Sequence, residues 1–169
     1  MNQKIQPYKY DIFASISILL VIIIENFVYR GESNELKILG ISLLTLSILF
    51  WITPVFALKK YGHVERGKNY FETRMVVIKG IYAIIRHPQY LAYILFVSGF
   101  AFIYQNWIIY GMTVLSVVSI YVHTLEDEKE LITKFPLNYK NYCENVPRFN
   151  FIKSVLIKMT KYGVLQTIS

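Results

Sequence analysis

Two polar clusters stand out in a chain that is otherwise strongly apolar. The first is Arg86-His87-Pro88-Gln89-Tyr90, and the second is the acidic run Glu126-Asp127-Glu128. Proline suits the first turn of a helix, because its fixed φ is helical and its missing N–H is no loss there. His87 is therefore predicted at or beside the N-cap of a helix, whose N–H groups and positive dipole end bind carboxylate or phosphate.

Side chains around this helix start could extend such a site. His87 can add a hydrogen bond, and Tyr82 and Tyr90 can supply hydroxyls or flat faces for a ring. The alternative is that Pro88 only starts a helix and that the tyrosines form an aromatic belt at a membrane surface.

The acidic run favours the first interpretation. Glu130 follows it closely, and helical spacing places His123, Glu126, Asp127 and Glu130 on or near one face. Such a run is usually only a solvated helix face. Here it begins where an apolar segment ends, and a tight turn would return it to the histidine-proline pair. A zwitterionic ligand would suit the two together, with its anion at the helix start and its ammonium group or hydroxyls on the carboxylates.

The elements that must position these clusters are four apolar runs. The chain has 169 residues, of which 54% are hydrophobic, and a mean hydropathy of +0.39, which predicts one all-α integral membrane domain over residues 1–169. The last two runs are short and are separated only by Gln105-Asn106, which predicts a helical hairpin with a tight turn. The predicted transmembrane helices cover Ile12–Val28, Leu36–Leu58, Tyr90–Tyr104 and Trp107–Val122.

The charges predict the orientation of these four spans. Sixteen of the eighteen basic residues lie on one side of them, and the positive-inside rule makes that side cytosolic. Both termini and the two polar clusters are then expected to face the cytosol. The net charge of +7 is explained by anionic lipid headgroups as partners and requires no nucleic acid.

The segments after the fourth run are expected to cover the site and to anchor the chain. The pattern of residues 124–146 predicts two short helices separated at Pro136, which form a candidate lid. The pattern of residues 150–169 predicts a basic amphipathic tail. The single cysteine, Cys143, and the scattered histidines give no metal-ligand spacing, so no metal is expected. No two of the eight glycines are two residues apart, which argues against a Rossmann-type loop.

The order of these residues resembles the isoprenylcysteine carboxyl methyltransferase family and its phospholipid methyltransferase relatives. The resemblance covers about residues 66–149 and includes Gly80, the histidine-proline motif, the acidic cluster and Val146-Pro147-Arg148-Phe149. It implies an integral membrane methyltransferase that binds S-adenosylmethionine, releases S-adenosylhomocysteine and takes a lipophilic methyl acceptor from the bilayer.

The resemblance also implies roles for individual residues. A strand-like segment before Gly80 would lie along the cofactor, the histidine-proline motif would hold its amino-acid end, and the binding carboxylate would fall on Asp127, with Glu126 or Glu128 as alternatives. The implied cofactor-binding residues are Arg74, Met75, Val76, Val77, Tyr82, His87, Pro88, Gln89, Tyr90, Glu126, Asp127 and Glu128.

His123 is the position on which the acceptor depends. It falls where the eukaryotic prenylcysteine enzymes resemble one another in having arginine, and it is the one candidate for a proton-transfer role if the acceptor is an amine or a hydroxyl. A prenylcysteine carboxylate, a phospholipid amine, a small thiol and an isoprenoid or phenolic lipid remain open as acceptors. The rival classes are an NADPH-dependent membrane reductase and a non-catalytic four-span protein.

Overall fold

The computed structural model describes residues 31–150. This part of the chain contains four α-helices and one short 3-10 turn, and no strand. The helices are α1 (Asn34–Tyr61), α2 (Pro88–Tyr104), α3 (Trp107–Lys134) and α4 (Pro136–Asn145), and the 3-10 turn covers Gly80–Ala83. The first apolar run and the amphipathic tail lie outside the described residues.

α1 packs along α2 through a stripe of small residues. Gly40, Ser47 and Pro54 are buried at intervals of seven residues, which keeps them on one face of the helix. The backbones approach most closely at Gly40 and Gly99, where a Cβ on Gly40 would lie 2.6 Å from the carbonyl oxygen of Gly99. Small residues permit such an approach between apolar helices, so this pair fixes α2 against α1.

The predicted hairpin between α2 and α3 is confirmed, and its turn is held by side chains. Gln105 adopts a left-handed conformation with φ of 51°, and the Asn106 side chain accepts a hydrogen bond from the N–H of Ile108 at the start of α3. The Gln105 amide also donates to the carbonyl of Ser33 and accepts from its N–H, at 2.6 and 3.0 Å. The turn is thereby joined to the start of α1.

α3 is one continuous helix of 28 residues, longer than the predicted fourth run. Its first part is apolar, and its last ten residues carry the acidic run. α1 and α3 are both long and apolar enough to cross a membrane, whereas α2 is a shorter apolar helix of 17 residues. The change in polarity at Thr124 does not end the helix, because the Glu, Lys and Leu residues that follow favour helical structure.

α4 folds back on the end of α3, as the sequence predicts. Tyr139, Tyr142 and Val146 form a buried cluster against Leu131 and Phe135. Phe135 alone separates the two helices, and Pro136 is the first residue of α4. The two short helices expected over residues 124–146 are thus the end of α3 and the whole of α4.

The strand-like segment expected at residues 74–77 is not a strand. These residues belong to the irregular connection between α1 and the 3-10 turn. Val76 packs against the α4 cluster and Val77 is buried, so β-branched side chains in this segment serve packing and have no neighbouring strand to pair with. The sequence expectation of a strand here is wrong for that reason.

Candidate functional site

The histidine-proline motif starts α2 as predicted. His87 is the N-cap residue, with φ of −122°, and Pro88 is the first residue of the helix. The His87 side chain makes no capping hydrogen bond. It is buried and turns toward the acidic end of α3, where its Nε2 lies 3.0 Å from Oε1 of Glu128. The tight hairpin therefore brings the two polar clusters together.

Glu128 is the centre of a buried cluster of charges. Arg148 donates to both carboxylate oxygens, from Nε at 2.8 Å and from Nη2 at 2.7 Å. Nη1 of Arg86 lies 3.0 Å from Oε1, with the Arg86 side chain only 9% exposed. A bidentate arginine pair is both stronger and more directional than a lysine pair would be. This cluster joins α3, α2 and the segment after α4.

Backbone hydrogen bonds reinforce the same junction. The N–H of Arg86 donates to the carbonyl of Pro147 at 3.0 Å, and the N–H of His87 donates to the carbonyl of Arg148 at 3.3 Å. Tyr142 on α4 donates its hydroxyl proton to the carbonyl of Tyr82 at 2.6 Å. α4 and the segment after it are therefore fixed to the chain that leads into α2.

A second group of polar residues is centred on Asp127, which precedes Glu128 in α3. The Tyr90 hydroxyl donates to Oδ2 of Asp127 at 2.6 Å, a short bond of the kind that a carboxylate makes. The Tyr90 ring lies against the His123 ring with a centroid separation of 5.7 Å. Nδ1 of His123 is 3.6 Å from Oε2 of Glu126, whose side chain is half exposed. Tyr90, His123, Glu126 and Asp127 thus form one connected surface.

The remaining predicted residues are divided between this region and the solvent. Gln89 donates its amide proton to the Tyr70 hydroxyl at 3.1 Å, next to the start of α2. Met75 is exposed, and the Arg74 guanidinium pairs with Glu65 in the connection between α1 and α2. Arg74 and Met75 are therefore the predicted residues whose observed surroundings lie away from the Glu128 cluster.

Arg86 and Arg148 were not predicted as site residues. Arg86 stands directly before the histidine-proline pair, and Arg148 follows Pro147 twenty residues after Glu128. The available signal was the repulsion expected among four neighbouring carboxylates, which calls for cations nearby. The sequence offers several cations for that role, and only the fold selects these two.

Burial determines the acid-base properties of the groups around α4. Burial raises the pKa values of Tyr82, Tyr139 and Tyr142 above the ordinary range, so all three phenols stay protonated. Burial also raises the pKa of the Cys143 thiol, and the nearby Arg86 only partly offsets this effect. Hydrogen bonds to Glu128 raise the pKa of Arg148.

Among residues 31–150, no group of three His, Cys, Asp or Glu side chains is arranged to hold a metal ion.

A family model for phospholipid methyltransferases matches residues 36–141. The chain belongs to the phospholipid methyltransferase family. The match spans well over half of the 169 residues and includes the histidine-proline start of α2 and the whole acidic run. It confirms the relationship that the residue order indicates. Comparison with curated proteins gives no match.

Membership in the phospholipid methyltransferase family defines the broad activity. The chain is a membrane-associated methyltransferase with an all-helical fold over the described residues, and its family uses a methyl donor of the S-adenosylmethionine type. The family match favours a methyltransferase over the reductase and the non-catalytic alternatives. The two apolar helices α1 and α3 agree with the membrane association of the family.

Proposed function

We propose that this protein transfers a methyl group from S-adenosylmethionine to a lipophilic acceptor drawn from the bilayer. The observation that carries the proposal is the hydrogen bond between Tyr90 and Asp127, which lies beside the His87 helix start and within the family match. It pairs a carboxylate with a helix N-terminus, the combination that a zwitterionic amino-acid group requires.

The residues present fit the chemistry of the donor. S-adenosylmethionine carries an ammonium group, a carboxylate, ribose hydroxyls and a flat adenine ring. Asp127 and the half-exposed Glu126 offer carboxylates for the ammonium group or the hydroxyls. Nε of Arg86 is buried and has no hydrogen-bond partner among the described residues, which leaves a donor near the helix start for a carboxylate.

These residues divide the binding task. We assign the amino-acid end to the His87-Pro88-Gln89-Tyr90 motif and to Asp127, and we assign the flanking contacts to Glu126, Tyr82 and residues 74–77. When bound, the donor supplies a methyl group on a positively charged sulfur. Alignment of donor and acceptor in a site that excludes water can lower the barrier by about 7–11 kcal/mol. α4 is well placed to exclude water, since Tyr142 fixes it at Tyr82 and the segment after it is fixed at the Arg86-His87 backbone.

His123 is assigned to the acceptor side. It lies against the Tyr90 ring and close to Glu126, so a carboxylate can orient the imidazole. An amine acceptor forms its new bond to the methyl carbon while the carbon–sulfur bond breaks, and His123 would take the proton that the amine loses. A carboxylate or thiolate acceptor would need no such base.

The acceptor is proposed by class. The family description favours a phospholipid amine, and the residue order also allows a prenylcysteine carboxylate, a small thiol or an isoprenoid. Incubation of the purified protein with methyl-labelled donor and with separate lipid and protein extracts distinguishes them. Label in aminophospholipids supports the amine, whereas base-labile label on protein supports the prenylcysteine ester.

We further propose a multi-pass arrangement with the site and both termini on the cytosolic side, and anionic lipid headgroups as partners on that side. Lys60 at the end of α1 and Lys79 before the 3-10 turn both lie over the Tyr61 ring, at 5.4 and 5.7 Å from its centroid. Two ammonium groups beside one aromatic residue at a helix end suit a lipid phosphate.

The decisive experiment is calorimetric titration of the detergent-purified protein with S-adenosylhomocysteine. Binding in the micromolar range is expected, with NADPH as the negative control. Folded protein that binds no S-adenosylhomocysteine at high micromolar concentration would contradict the proposal.

A further inference from the structure

One carboxylate connects three separate parts of the fold. Glu128 lies near the end of α3, and its side chain is 8% exposed. Its oxygens are surrounded by His87 and Arg86 from the start of α2 and by Arg148 from the segment after α4. Glu128 thus has ion-pair contacts to three different side chains, whereas Glu65 has them to two.

We propose that Glu128 is a positioning residue for the methyl-donor site and not one of its ligands. It holds the start of α2 against the acidic end of α3, so that Tyr90 and Asp127 meet in the geometry that receives the donor. This inference rests on the proposed function, and it assigns different roles to two adjacent acids.

The hydrogen-bond partners of Glu128 and Asp127 distinguish the two roles. Both oxygens of Glu128 accept charge-assisted hydrogen bonds from Arg148, so a ligand ammonium group would have to displace a bidentate guanidinium. Asp127 is partly exposed and accepts from the neutral hydroxyl of Tyr90. Successive helical residues point about 100° apart, which turns Glu128 inward while Asp127 faces α2.

The same cluster controls where the helix start lies. The guanidinium groups of buried Arg86 and of partly exposed Arg148 share the charge of Glu128. Backbone hydrogen bonds join the same two stretches, because residues 86–87 donate to the carbonyls of residues 147–148. Without the carboxylate, two like charges would remain close together, and the one on Arg86 would be buried. We expect them to separate and to carry His87 and Tyr90 away from Asp127.

A double-mutant cycle tests this inference. Glu128→Gln, Arg148→Lys and the double variant are compared by calorimetry with S-adenosylhomocysteine, at a temperature where thermal unfolding shows each to be folded. We expect each single variant to bind at least tenfold more weakly than wild type. The double variant should bind no more weakly than the worse single variant, because both changes break one junction.

The possible outcomes distinguish failure of the positioning role from failure of the proposed function. Glu130→Gln removes an exposed charge from the same helix and should bind within twofold of wild type. If wild type binds S-adenosylhomocysteine and Glu128→Gln binds it equally well, the positioning role is overturned and the proposed function stays intact. The same conclusion follows if the losses of affinity in the two single variants multiply in the double variant. Absence of binding by folded wild-type protein would overturn both.

Arg148→Lys keeps the test open if Glu128→Gln does not fold. Arg148 is the most exposed member of the cluster, with 31% of its side chain accessible, and lysine keeps the charge while losing the bidentate contact. A tenfold weaker affinity in this folded variant supports the inference, and an affinity within twofold of wild type contradicts it.

Discussion

Tyr90 and Asp127 are joined across the α2–α3 hairpin by a hydrogen bond of 2.6 Å. The bond links a residue of the first turn of α2 to the acidic end of α3, so the partners are 37 positions apart in the sequence. It is the direct consequence of a tight turn at Gln105-Asn106, which returns α3 along α2.

Loss of either partner in this contact should weaken binding of the donor product. Asp127→Asn removes the charge proposed to receive the ligand ammonium group, and Tyr90→Phe removes the hydroxyl that orients it. We expect the Kd for S-adenosylhomocysteine to rise at least tenfold in each, since a hydrogen bond to a charged group is worth about 1.5–3 kcal/mol. Calorimetry measures the change. Tyr110→Phe, at the other end of α3, and Glu130→Gln serve as controls, and equal losses in these controls would argue against a local effect.

Two neighbouring tyrosines of α4 should respond oppositely to loss of the hydroxyl. The Tyr142 hydroxyl donates to the carbonyl of Tyr82, whereas the buried Tyr139 hydroxyl has no partner within residues 31–150. Tyr142→Phe should lower the free energy of unfolding by about 1 kcal/mol. Tyr139→Phe should leave it unchanged or raise it by up to about 1 kcal/mol. Thermal unfolding in one detergent compares them, and equal destabilisation would contradict the hydrogen-bond assignment.

Two helical glycines should differ in their tolerance of a methyl group. Gly40 faces the backbone of Gly99, whereas nothing lies within 4 Å of a Cβ added at Gly111. Gly40→Ala should destabilise the protein by about 1–3 kcal/mol, because α1 and α2 must move apart. Gly111→Ala should be neutral or stabilising by up to about 1 kcal/mol through helix propensity. Detergent unfolding curves test the pair, and a stabilised Gly40→Ala would disprove the close approach.

The Cys143 thiol should react slowly with alkylating agents at neutral pH. Burial raises its pKa above the ordinary value, so the reactive thiolate forms only at higher pH. The rate with iodoacetamide should therefore still be rising at pH values where an ordinary thiol has levelled off. The matched control places a cysteine at exposed Asn141 of the same helix, as Asn141→Cys with Cys143→Ser. Mass spectrometry follows both, and identical pH profiles would rule out the effect of burial.

Lys60 and Lys79 should contribute to recognition of anionic lipid. Phosphatidylglycerol added to the detergent-purified protein should raise its unfolding temperature more than phosphatidylcholine does. Lys60→Gln with Lys79→Gln should weaken this lipid binding about thirtyfold, at about 1 kcal/mol for each charge. Lys68→Gln is the control, since Lys68 pairs with Glu65 at 2.9 Å. Equal stabilisation by both lipids would count against the proposal.

The sequence predicts those parts of the site that depend on local geometry. Pro88 marks the start of α2 because its ring fixes φ, and the two residues Gln105-Asn106 leave room for little except a tight helical turn. Pro136 likewise separates α3 from α4. The helix start at Pro88 and the tight turn at Gln105-Asn106 together predict that the histidine-proline start meets the acidic run.

The parts that the sequence did not predict depend on long-range choices among similar residues. Three neighbouring acids could each have faced α2, and the fold directs Glu128 to Arg86 and Arg148 while Asp127 meets Tyr90. Residues 74–77 were expected to be strand-like, but a strand needs a partner, and here Val76 packs against α4 and Val77 is buried instead. Helix rotation and pairing of this kind are set by tertiary packing.

The uninterrupted course of α3 relates the depth of the reaction in the membrane to the length of one helix. Its 28 residues correspond to about 42 Å, whereas the hydrocarbon layer of a bilayer is about 30 Å thick. The helix is continuous from its apolar part to Asp127, so in the proposed multi-pass arrangement the height of the carboxylate above the lipid depends on the length of α3. In that arrangement, a thicker bilayer would draw the acid toward the headgroups, and a thinner one would lift it into the water. Membrane thickness would then shift the position of the proposed donor site relative to the lipid.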